Sequence, residues 1–144
     1  MDIRPLTPAY AVSPQIDPED LPVIAEAGFT TVIDNRPDME IPPSHRADVM
    51  EAAAQKAGLA FVVLPVTHQG LTLELVAQQA AAVTASEGPV LAYCASGTRC
   101  TIVWALAQAR GGMPSDAIIA AAAAQGYDIT MLRNQLETLA EGRA

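Results

Sequence analysis

Residues 88–109 constrain this chain more than any other stretch. After Gly88-Pro89, the run Val90-Leu91-Ala92-Tyr93 is short and apolar and reads as a buried strand. Cys94-Ala95-Ser96-Gly97-Thr98-Arg99 then turns through a glycine into an apolar helical run over residues 101–109. A tight turn from a strand into a helix aims successive backbone N–H groups at one point, which makes a seat for an oxyanion. Cys94 and Arg99 stand at the two ends of that turn. The helix N-terminus and the Arg99 guanidinium both favour a thiolate over a thiol, so Cys94 is the candidate nucleophile and Arg99 the candidate two-pronged anion ligand. Ala95, Ser96, Gly97, Thr98, Arg99 and Cys100 make up the candidate anion-binding loop. The expected occupant is a phosphate, sulfate or thiosulfate-like anion.

The alternation of strands and helices predicts an α/β fold. Residues 10–16 alternate weakly and read as an edge strand, and Asp17-Pro18-Glu19-Asp20 opens a helix that Gly28 stops. Residues 30–34 are rich in β-branched side chains and read as a central strand, followed by a proline-punctuated loop over 36–44. A helix over about 45–57 ends at Gly58, and residues 59–66 are nearly all apolar, as a strand covered on both faces would be. Thr72 caps a helix running to about Ser86. Beyond Gly111-Gly112 the chain is helical in character, with Ser115-Asp116 opening one helix and Asp128 or Thr130 another. The expectation is a single domain over residues 1–144, with a mostly parallel sheet of four to five strands, helices on both faces and a helical C-terminal third. Ligands of such sheets bind at the carboxyl ends of the strands, so Asp34, Val66 and Cys94 should converge.

Composition narrows the partners. With 8 Lys and Arg against 16 Asp and Glu, the formal net charge is −8. That balance argues against a nucleic-acid or anionic-membrane surface and for small soluble substrates, and the choice between a small-molecule and a phosphoprotein substrate stays open. No stretch of about eighteen apolar residues is present, and Met1-Asp2-Ile3-Arg4-Pro5-Leu6 lacks the pattern of a signal peptide, so a cytoplasmic location is expected. Cys94 and Cys100 are the two cysteines, and two thiols in one loop point to chemistry rather than to stapling. His45 and Trp104 read as structural, and two scattered histidines do not make a metal site. Neither a metal nor a cofactor is called for.

Several motifs occur in order along the chain. They are Gln15-Ile16 before an acidic helix, Val32-Ile33-Asp34-Asn35-Arg36-Pro37-Asp38 with Glu40, Val63-Leu64-Pro65-Val66, and Tyr93-Cys94-Ala95-Ser96-Gly97-Thr98-Arg99. Together they resemble the beta-lactamase-hydrolase-like, phosphatase-like domain family, a bacterial group similar in fold to dual-specificity phosphatases. The resemblance runs from about Val12 to about Leu139. It implies a cysteine-phosphatase-like fold and a hydrolase in which a Cys94 thiolate attacks a phosphoester through a covalent thiophosphoryl intermediate, with Arg99 and the loop amides holding the oxyanion.

This chain departs from the resemblance in three ways. Dual-specificity phosphatases usually carry an aspartic general acid after the strand matching residues 59–66, where this chain has Thr67-His68-Gln69-Gly70; His68 and Asp38 are the available substitutes. The position after Arg99, where many relatives in the phosphatase group have Ser or Thr, is Cys100, either a buried structural thiol or a resolving thiol for an oxidised Cys94. Four residues separate Cys94 from Arg99, one fewer than in the usual phosphatase loop and equal to the rhodanese loop. That spacing leaves sulfur transfer through a Cys94 persulfide as the alternative, and some family members are fused to metallo-hydrolase domains of sulfur metabolism. A third reading is a non-catalytic anion-binding or partner domain. Arg36 is a candidate second positive charge at the site, or a salt-bridge partner of Glu40 or Asp38.

Overall fold

The computed structural model describes residues 1–67 and 71–142. Strands β1 (Arg4–Thr7), β2 (Tyr10–Ser13), β3 (Thr31–Asp34), β4 (Ala60–Val63) and β5 (Val90–Tyr93) form one sheet in the order β1-β2-β5-β3-β4. Only the β1–β2 pair is antiparallel. In register, Ala11, Leu91 and Val32 line one face, and Val12, Ala92 and Ile33 the other.

Helices cover both faces, as expected. Helices α1 (Leu21–Glu26) and α2 (Ala47–Lys56) lie on the first, burying Leu21, Ile24, Met50 and Ala54 against Ala11, Val32, Leu91 and Tyr93. The opposite face carries α3 (Leu73–Ala85), α4 (Thr98–Arg110), α5 (Ser115–Ala124) and α6 (Arg133–Gly142). Helix α4 is the hub of this layer, packed by α3, α5 and α6, and buries Cys100, Thr101, Val103, Trp104, Ala105, Leu106 and Ala109. Each large aliphatic side chain removed from water in these two layers is worth about 1.5–3 kcal/mol, which makes the sheet a stiff base for the loops at its end.

Local signals place most boundaries. Thr72 Oγ1 accepts from the Leu75 amide at 3.1 Å and starts α3. The acidic Pro18–Asp20 segment is a 3-10 turn leading into α1, with the Asp20 carboxylate accepting from the Asp17 amide at 2.9 Å. Two expectations are overturned. Residues 10–16 do not form an edge strand: β2 is paired on both sides and all four of its residues are buried, while the edge is β1. A proline within Arg4-Pro5-Leu6-Thr7 masks a strand signal, yet an edge tolerates a missing N–H. Residues 59–66 are not a doubly covered strand either. β4 is the opposite edge, and Ala60 and Val63 are exposed, Val63 by 41%. An apolar run reports a strand without reporting its place in the sheet, which is settled by which neighbours remain to be paired.

Candidate active site

The carboxyl ends of β2, β3, β4 and β5 converge. The Asn35 amide donates to the Tyr93 carbonyl at 2.9 Å, the Val66 amide to the Asn35 carbonyl at 2.8 Å and the Cys94 amide to the Ser13 carbonyl at 3.3 Å. Beneath them runs a buried polar chain. Asn35 and Gln79 exchange side-chain hydrogen bonds at 2.7 and 2.9 Å, Gln79 donates to the Tyr10 hydroxyl at 2.9 Å, and Tyr10 donates to the Cys100 carbonyl at 3.0 Å. All four residues are buried. This chain links β2, the end of β3, α3 and the first turn of α4 by bonds that leave each side-chain amide satisfied, so it fixes the loop rather than merely filling space.

Cys94 follows β5 directly and is fully buried, with Gly97 closing over it. The Gly97 amide donates to Cys94 Sγ at 3.1 Å, and Gly97 has φ +93°, a left-handed conformation that glycine adopts without the penalty a side chain incurs. Thr101 clamps the turn from the helix side, its amide and hydroxyl both donating to the Gly97 carbonyl, at 3.0 and 2.8 Å. Helix α4 starts at Thr98, one turn earlier than its apolar run suggests, which puts Arg99 in the first turn.

The Cys94 thiol is driven down to about 5. The largest cause is a hydrogen bond from the Cys100 thiol, opposed by burial and supported by the amides of Cys100, Gly97 and Ser96. Burial and the neighbouring Cys94 push Cys100 well up, so it keeps its proton and donates. Cys100 is fully buried directly after Arg99, and a cysteine at that position reads equally as core.

Arg99 is held by an unexpected partner. Its Nη1 and Nη2 donate to Glu40 Oε2 and Oε1, both at 2.8 Å, and Nη1 also donates to the Val66 carbonyl at 2.9 Å. A guanidinium has five N–H donors in a fixed fork. Three are used here, and among the described residues nothing occupies the Nε–H and the second Nη2–H, the side edge suited to a two-oxygen grip on an anion. Glu40 thus orients the arginine without filling the edge that an oxyanion needs, and Arg99 holds the Glu40 carboxyl below its usual range.

Arg36 braces Glu40 from the other side, with Nε on Oε1 at 3.3 Å and Nη2 on the Glu40 carbonyl at 3.3 Å, and reaches Gln15 Oε1 at 3.2 Å. Of the roles open to Arg36, the salt bridge to Glu40 is the one observed. Asp38 Oδ1 accepts from the Ala47 amide at 2.8 Å and so caps α2. His68 lies outside the described residues. His45 bridges Ser44 and Asp17, at 2.8 and 2.7 Å, in keeping with a structural role. Asp34 is fully buried beside Tyr93, its Oδ1 taking the Arg36 amide at 2.9 Å and its Oδ2 without a partner among the described residues. Burial raises its carboxyl to about 6. Among the described residues no three His, Cys, Asp or Glu side chains are grouped to hold a metal, and no helix is long and apolar enough to cross a membrane.

Residues 2–111 match the model of the family described as beta-lactamase hydrolase-like protein, phosphatase-like domain. The chain belongs to this family. A beta-lactamase hydrolase-like protein of Xylella fastidiosa strain Temecula1 is 33% identical over 140 residues, which cover 94% of this chain and 32% of that protein. The phosphatase-like domain therefore spans about a third of the length of that curated relative. A candidate phosphatase of known structure from Neisseria meningitidis Z2491 is 34% identical, with a TM-score of 0.85 over 96% of this chain and 99% of that one. PTPMT1, at 15% identity and a TM-score of 0.73 over 98% of this chain and 95% of that one, shares the fold. The fold of this phosphatase-like domain is that of the cysteine phosphatases.

Proposed function

We propose that this domain is a cysteine-dependent phosphatase acting on a phosphoester. The observation that carries the reading is Cys94 Sγ, its thiol lowered to about 5, under the amide of Gly97 at 3.1 Å and within electrostatic reach of Arg99. Above about pH 5 the sulfur is a thiolate. It attacks phosphorus in line, the sulfur–phosphorus bond forms as the phosphorus–oxygen bond to the alcohol breaks, and the electron pair leaves on that oxygen. Loop amides and Arg99 hold the equatorial oxygens, so catalysis rests on positioning and charge stabilisation. Water then attacks the thiophosphoryl group, releasing phosphate, and the Cys100 thiol stabilises the departing Cys94 thiolate.

The alcohol needs a proton as it leaves. Asp38 is engaged with the Ala47 amide, which leaves His68, outside the described residues, as the other candidate acid; without one, poor leaving groups lose a factor of about 10²–10⁴. The expected substrates are therefore aryl phosphates, including phosphotyrosine-like esters, ahead of alkyl phosphates. Sulfur transfer stands as the second reading on one observation, the four residues between Cys94 and Arg99, which form a smaller seat than a five-residue spacing would.

The test offers the purified protein an aryl phosphate, or thiosulfate with cyanide, in parallel. Phosphate release that Cys94→Ser lowers by about 10⁴-fold or more supports the hydrolase. Thiocyanate formation without phosphate release overturns it in favour of sulfur transfer, and neither product, with an anion still bound, assigns a binding domain.

A further inference from the structure

The hydroxyl of Tyr127 touches the anion loop from the far side. Tyr127 lies between α5 and the 3-10 turn at Thr130–Leu132, is 6% exposed, and donates from its hydroxyl to the Ser96 carbonyl at 2.9 Å. The same peptide unit that carries the Ser96 carbonyl carries the Gly97 amide, and that amide is the one on Cys94 Sγ at 3.1 Å. A trans peptide is planar, with its C=O and N–H pointing in opposite directions. No peptide bond in the described chain is cis. Holding the carbonyl outward against Tyr127 therefore holds the N–H inward against the sulfur. We propose that Tyr127 is a positioning residue for the nucleophile: its hydroxyl fixes the Ser96–Gly97 peptide in the orientation that presents the Gly97 amide to Cys94. This inference rests on Cys94 being the reactive thiolate.

The surroundings of Tyr127 suit that task. Its amide donates to the Ala122 carbonyl at 3.0 Å, and the Arg4 guanidinium stacks over its ring at 5.1 Å while donating to the Gln125 carbonyl at 3.2 Å. Arg4 on β1 thus covers the aromatic ring while the C-terminal end of α5 holds the Tyr127 backbone, which leaves the hydroxyl little freedom. Burial raises the Tyr127 pKa, so the hydroxyl keeps the proton it donates. A Cβ built on Gly97 would overlap that hydroxyl, so the loop approaches the tyrosine as closely as a residue without a side chain permits. A flipped Ser96–Gly97 peptide would turn a carbonyl oxygen toward the thiolate and a donor away from it. Both changes favour the protonated thiol.

The experiment measures the alkylation rate of Cys94 by iodoacetamide as a function of pH in the full chain, with the modified cysteine identified by peptide mass spectrometry. Tyr127→Phe keeps the ring and its stacking and removes the hydroxyl. The midpoint of the rate profile is expected to rise by about one pH unit, with a matching shift in the acid limb of any Cys94-dependent turnover. Ile129→Val trims a fully buried methyl near the same turn and leaves the hydroxyl in place; it is expected to lower the melting temperature without moving the midpoint. An unchanged midpoint in Tyr127→Phe, or an equal shift in Ile129→Val, overturns the proposal. A low midpoint in the unaltered protein that rises in Tyr127→Phe supports it even where no phosphate is released, and in that case only the hydrolase reading fails. An ordinary thiol midpoint in the unaltered protein overturns the inference at its premise.

Discussion

The two ends of β3 and β5 are built from opposite materials. At the amino ends the chain is closed by neutral hydroxyls: Thr30 and Thr31 meet Ser86 Oγ at 2.9 and 2.7 Å, Ser86 donates to the Gly88 carbonyl at 2.8 Å, and the Gly88 amide donates to Thr30 Oγ1 at 2.8 Å. No group in that cluster titrates. A few residues along the same strands, the carboxyl ends carry a thiol lowered to about 5, a carboxyl raised to about 6 and an arginine shared between a carboxylate and a carbonyl. Asp34 Oδ2 and the Tyr93 hydroxyl lack partners there among the described residues. One end satisfies itself with neutral hydroxyls, whereas the other concentrates charge and buried polar groups, and the same rigid strands make both possible.

Substitutions at the carboxyl end should change chemistry, and those at the amino end only stability. Arg99→Lys is expected to have the largest effect after loss of the nucleophile. It keeps the charge but loses both two-pronged edges, and turnover of an aryl phosphate should fall by about 10²–10³-fold with little change in melting temperature. An equal loss from a substitution at the amino end would dissolve the contrast. Cys100→Ala removes the foremost donor to the thiolate, and the Cys94 alkylation midpoint should rise by about one to two pH units. A midpoint that stays near 5 would leave the loop amides as its whole cause.

The pH dependence of stability separates two groups at the same end by sign. Asp34 has a folded pKa above its unfolded one, so its contribution is present at pH below about 4 and is lost as pH rises through about 6. Asp34→Asn, neutral throughout, should therefore be more stable than the native chain by about 3 kcal/mol at pH 8 and gain little at pH 4, as read by urea denaturation. Cys94 runs the other way. Its folded pKa lies below its unfolded one, so its contribution is present above about pH 9 and is lost as pH falls through about 5. The smallest effect belongs to the amino end: Ser86→Ala should cost about 1 kcal/mol with turnover and the Cys94 midpoint unmoved.

Much of the site was legible along the chain, because its centre is local. Cys94, Gly97 and Arg99 lie within one turn from strand to helix, and the residue types alone indicate a thiolate under amide donors. The partners that complete it are distant in sequence. Glu40 meets Arg99 across 59 positions and Tyr127 meets Ser96 across 31, and neither pairing leaves a spacing or a periodicity to read. Glu40 was visible only as a motif residue and as a possible mate for Arg36, and Tyr127 carried no signal.

The strand-turn-helix around Cys94, the capped start of α3 at Thr72, the turn into α1 at Asp17-Pro18 and the alternation that makes an α/β sheet were determined by the sequence itself, since hydrophobic period, caps and turn residues act within a few positions. Strand order was not, and β1 and β4 became the edges only once β2, β5 and β3 had taken their neighbours. The tertiary structure alone decided that Glu40 turns Arg99 broadside and that Tyr127 closes on the Ser96 carbonyl. Each is a contact whose energy depends on where two distant segments are carried by the core, and no local rule specifies that placement.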